Sequence, residues 1–237
     1  MSPERISTGR GTSAREARAS RVAGLYAVTP DTDDTARLVA DVTAAIDGGA
    51  RVIQYRNKSQ PSGVRLAQAQ ALARETARRR VLLIINDDPQ LAHAVDADGA
   101  HVGADDPDLA AARDRIGPDL LLGVSCYDDF NRACAAVRDG ADYVAFGSFF
   151  ASAVKPGATR AGIGLLGRAR ALGVPVVAIG GITAANASEL IDAGAHAVAV
   201  ISAVFAHRDP ARVRQAAAEI AALFAPASRA SGSDARG

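Results

Sequence analysis

The sequence predicts a closed (β/α)8 barrel, the TIM barrel, for the central part of the chain. Eight short β-rich segments alternate with Ala-rich segments in which apolar residues recur at helical spacing. Near-continuous apolar strands joined by helical crossovers are typical of a parallel sheet that is buried on both faces. Eight such units in about 200 residues favour a closed barrel over an open doubly wound sheet.

The predicted strands are short runs rich in aliphatic and β-branched residues, the composition that strands prefer. In chain order they are GLYAVT at 24–29, RVIQYR at 51–56, VLLIIN at 81–86, GAHV at 99–102, LLLGV at 120–124, DYVAF at 142–146, PVVAI at 175–179 and AVAVI at 197–201.

The segments between the strands have helical spacing. Leu38, Val42 and Ile46 fall on one helix face after the first strand. Several of these helices are expected to stop at a glycine: Gly48-Gly49, Gly140, Gly173 and Gly194. The peptides DGGA, DADGA, RDGAD and DAGAH each stand just before a strand, which suggests that one helix-to-strand turn is used repeatedly.

The barrel is expected to form one catalytic domain over residues 23–225. Residues 1–22 are rich in Arg, Ser, Gly and Ala and lack an apolar segment, so we interpret them as a flexible N-terminal arm and not as a secretion signal. Residues 226–237, with the sequence PASRASGSDARG, are expected to form a disordered tail.

Composition excludes several classes of protein. A chain of 237 residues with 49% hydrophobic residues is long enough to bury one sizeable core. The net charge of +1 offers no broad basic field for nucleic acid, and no apolar run approaches the roughly 20 residues that span a bilayer. Cys126 and Cys134 alone give no disulfide framework. We therefore expect a cytoplasmic protein with no nucleic-acid or membrane partner, and its state as a monomer or homo-oligomer stays open.

Acidic residues follow two neighbouring predicted strands. Asn86 and Asp87 end the third strand, and Asp105 and Asp106 follow the fourth. Because the carboxyl ends of barrel strands converge on one mouth, these carboxylates are able to share a Mg²⁺ ion, which prefers oxygen ligands. The alternative is that the acids cap the next helices. This interpretation suits Asp88, which opens DPQLAHAV, and Asp105 or Asp106 at the start of DPDLAAAR.

Other strand ends indicate anion binding. In QYRNK, alternation places Gln54, Arg56 and Lys58 on one side, which suggests a phosphate or diphosphate clamp, although a solvated charged rim is the alternative. The loop GSFFASAVKPGATRAG after the sixth strand carries Lys155 and has the composition of a mobile lid or of an ordinary flexible loop. AIGGIT and AVISA end the last two strands, where barrels keep phosphate sites.

The ordered set QYRNK, IINDD, GAHVGADD, GVSCYD, FGSFFASAVKPG, VAIGGIT and AVAVIS resembles the thiamine phosphate synthase family over about residues 24–205. The resemblance implies a transferase of thiamine biosynthesis. Such an enzyme condenses 4-amino-2-methyl-5-hydroxymethylpyrimidine diphosphate with 4-methyl-5-(2-hydroxyethyl)thiazole phosphate and releases diphosphate and thiamine phosphate. Mg²⁺ is the implied cofactor, and these small phosphate and diphosphate substrates are the implied partners.

The resemblance also implies roles for individual residues. It assigns the Mg²⁺ ligands to Asp87 and Asp106, and leaves Asp105 as a helix cap or a supporting group. The diphosphate side falls to Gln54, Arg56, Lys58, Asn86 and Lys155, and Ser125 lies near the pyrimidine. Arg56, Lys58, Lys155 and Ser125 are the implied catalytic residues. The thiazole phosphate side falls to Gly180, Gly181, Ile201, Ser202 and the lid residue Ser152.

The chain departs from the family pattern in two places. The family lid commonly reads GPIFPTPTK, whereas this chain has GSFFASAVK, so Ser152 retains a hydroxyl but Val154 does not. The family THT is CYD here, at residues 126–128, and we assign these residues no role. His101, inside the fourth strand, is interpreted as an interior residue of the barrel and not as a catalytic base.

Two rival functions use the same barrel. A related thiazole tautomerase is an isomerase that binds a thiazole carboxylate phosphate and does not use the pyrimidine diphosphate site. The diphosphate and Mg²⁺ residues present here argue against it. A non-catalytic sensor of phosphate ligands would bind without turnover.

Overall fold

A computed structural model of the protein describes residues 9–103, 109–151 and 160–225, and it confirms the predicted barrel. Eight parallel strands pair in chain order and close from β8 back to β1. The eight predicted segments all form strands, with these bounds: β1 Gly24–Val28, β2 Ala50–Tyr55, β3 Leu82–Asn86, β4 Gly99–Val102, β5 Leu121–Tyr127, β6 Tyr143–Phe146, β7 Val176–Ile179 and β8 Ala197–Val200.

Helices follow the strands around the outside of the barrel. Within the described ranges they are α1 Gly9–Ala19, α2 Thr35–Asp47, α3 Ser62–Arg79, α4 Pro89–Ala94, α5 Leu109–Ile116, α6 Phe130–Arg138, α7 Gly164–Ala169, α8 Ala187–Asp192, α9 Ser202–Phe205 and α10 Pro210–Ala222. A single 3-10 turn at Arg170–Leu172 extends α7. Helix α2 begins at the side chain of Asp34, which accepts a hydrogen bond from a backbone N–H in the first turn.

The strands divide their side chains between two apolar layers. In β3, Leu82 and Ile84 face the barrel interior, whereas Leu83 and Ile85 join the layer between the strands and the helices. This alternation follows from the two-residue period of a strand. Every residue of β3 before Asn86 is buried, which explains why the sequence shows a continuous apolar run there.

The repeated turn before the strands has a physical function at three positions. Asp98, Asp142 and His196 directly precede β4, β6 and β8, and each accepts a hydrogen bond from a backbone N–H near the start of the preceding strand. The accepting atoms lie 2.8–3.0 Å from these nitrogens. The turn therefore satisfies buried donors at the amino end of the barrel, which supports the interpretation of these peptides as turn chemistry.

The described part of the N-terminal segment contains a helix. Residues 1–22 were expected to form a flexible arm; within them Gly9–Ala19 form helix α1, and Ala19 and Val22 are buried against the amino end of the barrel. Arg15 pairs with Asp142 at 3.1 Å, and Arg18 lies 3.7 Å from Asp98. Two arginines of this segment therefore contact the acids that precede β4 and β6. Residues 1–8 and the tail 226–237 lie outside the described residues.

Among the described residues, no helix combines the length and the apolarity that crossing a membrane requires.

Candidate functional site

The carboxyl ends of β2 and β3 bring the predicted amides together. Gln54 is buried, and its Nε2 donates a hydrogen bond to Oδ1 of Asn86 at 3.1 Å. The Nδ2 of Asn86 in turn donates to Oδ2 of Asp87 at 2.7 Å. Strand register places these residues side by side at the barrel mouth, as the sequence predicted.

Asp87 occupies a left-handed backbone conformation directly after β3. Its φ is +58°, a region that Asp tolerates better than most residues. Its backbone N–H still donates to the carbonyl of His101, and its Oδ1 accepts from the N–H of Gly103 at 3.2 Å. The turn therefore directs the carboxylate toward the end of β4, where the segment with the other two predicted acids begins.

The two described cations of the predicted clamp are both paired with acids. Lys58 Nζ lies 3.0 Å from Asp87 Oδ2, and Arg56 Nη1 lies 3.1 Å from Asp31 Oδ1. The side chain of Lys58 is 57% exposed, so its pairing with Asp87 is easily exchanged for another anion. Asp31 also accepts from the backbone N–H of Lys58 and so holds the loop after β2 in position.

Ser125 lies near the end of β5 and joins a chain of hydrogen bonds. His101 Nε2 lies 2.9 Å from Ser125 Oγ, and His101 Nδ1 lies 3.1 Å from the hydroxyl of Tyr143. Burial lowers the pKa of His101 to about 4, although the charge of Asp87 acts in the opposite direction. His101 is therefore a neutral interior residue, in agreement with its interpretation from sequence.

A separate cleft of about 180 Å³ opens at the ends of β7 and β8. The four predicted thiazole phosphate residues in the described chain all line it: Gly180, Gly181, Ile201 and Ser202. The two glycines have φ of +106° and +66°, and a Cβ atom at either position would lie within 2.4 Å of an atom in the loop after β6. Glycine is required here because the loop passes directly over the turn.

Asn186 braces the same turn from the start of α8. Its Oδ1 accepts from the N–H of Thr183 at 2.8 Å, and its Nδ2 donates to the carbonyl of Gly181 at 3.1 Å. Two hydrogen bonds from one side chain therefore hold the backbone of the turn that forms this wall of the cleft.

Four predicted residues cannot be compared with the structure. Asp105, Asp106, Ser152 and Lys155 lie outside the described residues. Within the described ranges, no group of three or more His, Cys, Asp or Glu side chains is arranged to hold a metal ion.

Asp88 caps helix α4, as the alternative interpretation of the acids proposed for this residue. Its Oδ1 accepts from the N–H of Leu91 at 2.9 Å, and its Oδ2 pairs with Arg65.

Cys126 is buried, and burial raises the pKa of its thiol to about 12, so it is an unreactive core residue.

Comparison with known proteins decides the family. The family model described as thiamine monophosphate synthase matches residues 25–204, which include both parts of the mouth and all eight strands except Gly24 of β1. The chain belongs to this family. It is 53% identical over 203 residues to a thiamine-phosphate synthase from Thiobacillus denitrificans, with 85% of this chain and 95% of the relative covered. It is 52% identical to one from Chromobacterium violaceum, with 84% and 96% covered.

Solved structures agree with this assignment. Thiamine phosphate pyrophosphorylase from Pyrococcus furiosus superimposes with a TM-score of 0.75 at 34% identity, and the match covers 86% of this chain and 96% of that one. A Mycobacterium tuberculosis tryptophan synthase chain also matches, with a TM-score of 0.64 at 17% identity, which indicates a shared fold alone.

Sequence reasoning missed several residues that shape the mouth. Thr29, at the end of β1, exchanges two hydrogen bonds with the backbone of Arg56. Arg132 donates to the carbonyls of Ser125 and Gly103 and so ties the end of β5 to the end of β4. Thr29 ends its predicted strand, as several of the predicted site residues do, which is a signal that was available. No sequence signal identifies Arg132, because its partners come from two other elements.

Proposed function

We propose that this protein condenses 4-amino-2-methyl-5-hydroxymethylpyrimidine diphosphate with 4-methyl-5-(2-hydroxyethyl)thiazole phosphate to give thiamine phosphate and diphosphate. The observation that carries the proposal is the division of one barrel mouth into two parts in a chain of this family. One part gathers amides, cations and a carboxylate at β2 and β3, and the other is the glycine-walled cleft at β7 and β8. Two substrates, each with its own phosphate group, need two such parts.

The β2 and β3 side is proposed to bind the pyrimidine diphosphate through Gln54, Arg56, Lys58 and Asn86, together with Lys155 from the lid. The two cations are expected to exchange their carboxylate partners for the diphosphate when it binds. Lys58 leaves Asp87, and Arg56 leaves Asp31, when a diphosphate supplies stronger acceptors. The cations then stabilise the negative charge that develops on the departing diphosphate.

Asp87 and Asp106 are proposed to hold Mg²⁺. The donor set suits this ion, because Asp87 and Asn86 both offer hard oxygen atoms at the mouth. Asp106 follows Gly103 by three residues, so chain length keeps the two Cα atoms within roughly 11 Å of each other. The N–H of Gly103 contacts the Asp87 carboxylate, which supports the proposal that both acids serve one ion. When bound, Mg²⁺ supplies positive charge to the diphosphate oxygens.

The cleft at β7 and β8 is proposed to hold the thiazole phosphate on Gly180, Gly181, Ile201 and Ser202, with Ser152 closing from the lid. Backbone N–H groups of glycine turns are suitable donors for phosphate. Because Val154 has no hydroxyl, phosphate binding at the lid depends on backbone donors and on Ser152.

The chemistry needs no side-chain nucleophile. The carbon–oxygen bond to diphosphate breaks, and diphosphate leaves with the electron pair. The electron-rich aminopyrimidine stabilises the remaining cationic carbon, and the thiazole nitrogen then forms the new carbon–nitrogen bond with its own lone pair. The protein orients the two rings, neutralises the diphosphate and, with the lid closed, keeps water from the cationic carbon.

One assay with purified protein and Mg²⁺ separates the possible functions. A synthase forms thiamine phosphate and diphosphate in equal amounts from the two substrates. A tautomerase instead isomerises a thiazole carboxylate phosphate, and a sensor binds the phosphate ligands without forming product. Absence of thiamine phosphate when both substrates and Mg²⁺ are present would reject the proposed function.

A further inference from the structure

Four side chains form a hydrogen-bonded chain from the barrel interior to its mouth. The hydroxyls of Tyr26 and Tyr143 lie 2.9 Å apart, Tyr143 contacts Nδ1 of His101 at 3.1 Å, and His101 Nε2 reaches Ser125 at 2.9 Å. The first three side chains are buried, and Ser125 is half-buried at the strand end. We name this set the Tyr26–Ser125 chain.

The barrel makes room for this chain with a glycine. A Cβ atom at position 123 would lie 2.0 Å from the Tyr143 ring and 2.3 Å from its hydroxyl oxygen. Gly123 therefore lets the phenol cross β5 inside the barrel and reach His101. Any larger residue would displace Tyr143 from the chain.

The Tyr26–Ser125 chain can run in two directions. Both ring nitrogens of buried His101 contact hydroxyl groups and not a carboxylate, which favours the neutral ring, in which one nitrogen donates and the other accepts. Either Ser125 donates to His101 and the bonds run inward, or His101 Nε2–H donates to Ser125 and the bonds run outward.

The inner end of the chain selects the outward direction. Tyr26 is 1% exposed, and across the described residues its hydroxyl has Tyr143 as its hydrogen-bond partner. In the inward direction the hydrogen of Tyr26 would have no acceptor, which is costly in the interior. In the outward direction Tyr26 donates to Tyr143, Tyr143 donates to Nδ1 of His101, and Nε2–H donates to Ser125, so every buried hydrogen is bonded.

We propose that Tyr143 and His101 are positioning residues that fix the hydroxyl of Ser125 as a hydrogen-bond donor toward the substrate in the mouth. This inference rests on the proposed function for the identity of the substrate. A donor at Ser125 matches a ring nitrogen of the aminopyrimidine, which carries a lone pair, and not its exocyclic amino group, which is itself a donor. The chain thereby favours ring orientations that place a ring nitrogen, and not the amino group, against Ser125.

The first test reads the tautomer of His101 directly and needs no activity. In ¹⁵N NMR spectra of the full-length protein, with the signal assigned by its loss in His101→Phe, we expect the Nε2–H form. Tyr143→Phe removes the donor to Nδ1, so both forms become populated. Tyr26→Phe is the matched control, because Tyr143 then becomes the inner end of the chain and still donates to His101. An Nδ1–H form in the parent protein, or an unchanged tautomer in Tyr143→Phe, would overturn the proposal.

The second test is a double-mutant cycle on the Michaelis constant for the pyrimidine diphosphate. We expect Ser125→Ala and Tyr143→Phe each to raise this constant by up to about tenfold, the effect of one hydrogen bond. The double variant should be no worse than Ser125→Ala, and the Michaelis constant for the thiazole phosphate should not change. Effects that multiply would show that Tyr143 acts independently of Ser125. If the protein forms no product at all, the proposed function fails while the tautomer result still decides the direction of the chain.

Discussion

Acidification should weaken the folded state through His101, by an amount that follows from its environment. Burial lowers the pKa of His101 to about 4 in the folded protein, whereas an unfolded chain has an ordinary histidine pKa near 6.5. The folded state therefore favours the neutral ring. This contribution to stability is complete above pH 6.5, decreases as the pH falls, and is lost below pH 4.

The magnitude follows from the difference between the two pKa values. At about 1.4 kcal/mol per pKa unit, the neutral ring contributes roughly 3 kcal/mol to the free energy of unfolding at pH 7. Between the two pKa values, unfolding takes up close to one proton at His101. The free energy of unfolding of the parent should therefore fall by about 1.4 kcal/mol per pH unit because of this residue alone.

Urea unfolding at intervals between pH 7 and pH 4.5 measures this slope. His101→Gln lacks the titrating ring, so the difference in free energy between parent and variant should shrink by about 2–3 kcal/mol across the window. His93→Gln, at an exposed position of helix α4, is the matched control and should follow the parent. His196, whose pKa burial also lowers, is present in all three proteins and cancels from the comparison. Parallel curves for the parent and His101→Gln would refute the reasoning.

Three further substitutions test other parts of the structure. Gly180→Ala would bring a Cβ atom within 2.2 Å of a hydroxyl oxygen in the loop after β6, so we expect a stability loss of about 2 kcal/mol and a raised Michaelis constant for the thiazole phosphate; Gly63→Ala, with open space at its Cβ position, should cause neither. Asp142→Asn removes the negative charge that pairs with Arg15 and Arg113, and urea unfolding should show a loss of about 3 kcal/mol in the free energy of unfolding. A loss below about 1 kcal/mol would mean that these ion pairs stabilise the fold no more than exposed ones do. Arg56→Ala should lower kcat/KM about a hundredfold through lost stabilisation of the leaving diphosphate, while Arg51→Ala, at the other end of β2, should retain the parent rate in the same steady-state assay.

The strands were predictable because their signal is local. Each is a run of mostly apolar residues, and the closed barrel follows from eight such runs joined by helices. The positions of Gln54, Asn86 and Asp87 were predictable for the same reason, since strand register sets which residues reach the mouth.

What the sequence did not reveal depends on contacts between distant segments. The segment that forms helix α1 was interpreted as a flexible arm because it is rich in Arg, Ser, Gly and Ala, yet two of its arginines pair with Asp98 and Asp142, which are distant in the sequence. The direction of the Tyr26–Ser125 chain likewise depends on residues from β1, β4, β5 and β6. No periodicity or motif reports which of these hydroxyls is the innermost.

The most direct test of the central claim, a Mg²⁺-assisted condensation at the mouth, is the rate of thiamine phosphate formation in the parent, Asp87→Asn and Asp88→Asn proteins with Mg²⁺ or with a chelator. Asn tolerates the left-handed backbone at 87 and caps a helix well at 88, so both variants should fold. We predict that the parent and Asp88→Asn form thiamine phosphate when Mg²⁺ is present and not when the chelator is present. With Mg²⁺, Asp87→Asn should be at least about a hundredfold slower than the parent. The account would be contradicted if the parent were equally fast with Mg²⁺ and with chelator, or if Asp87→Asn were as fast as the parent.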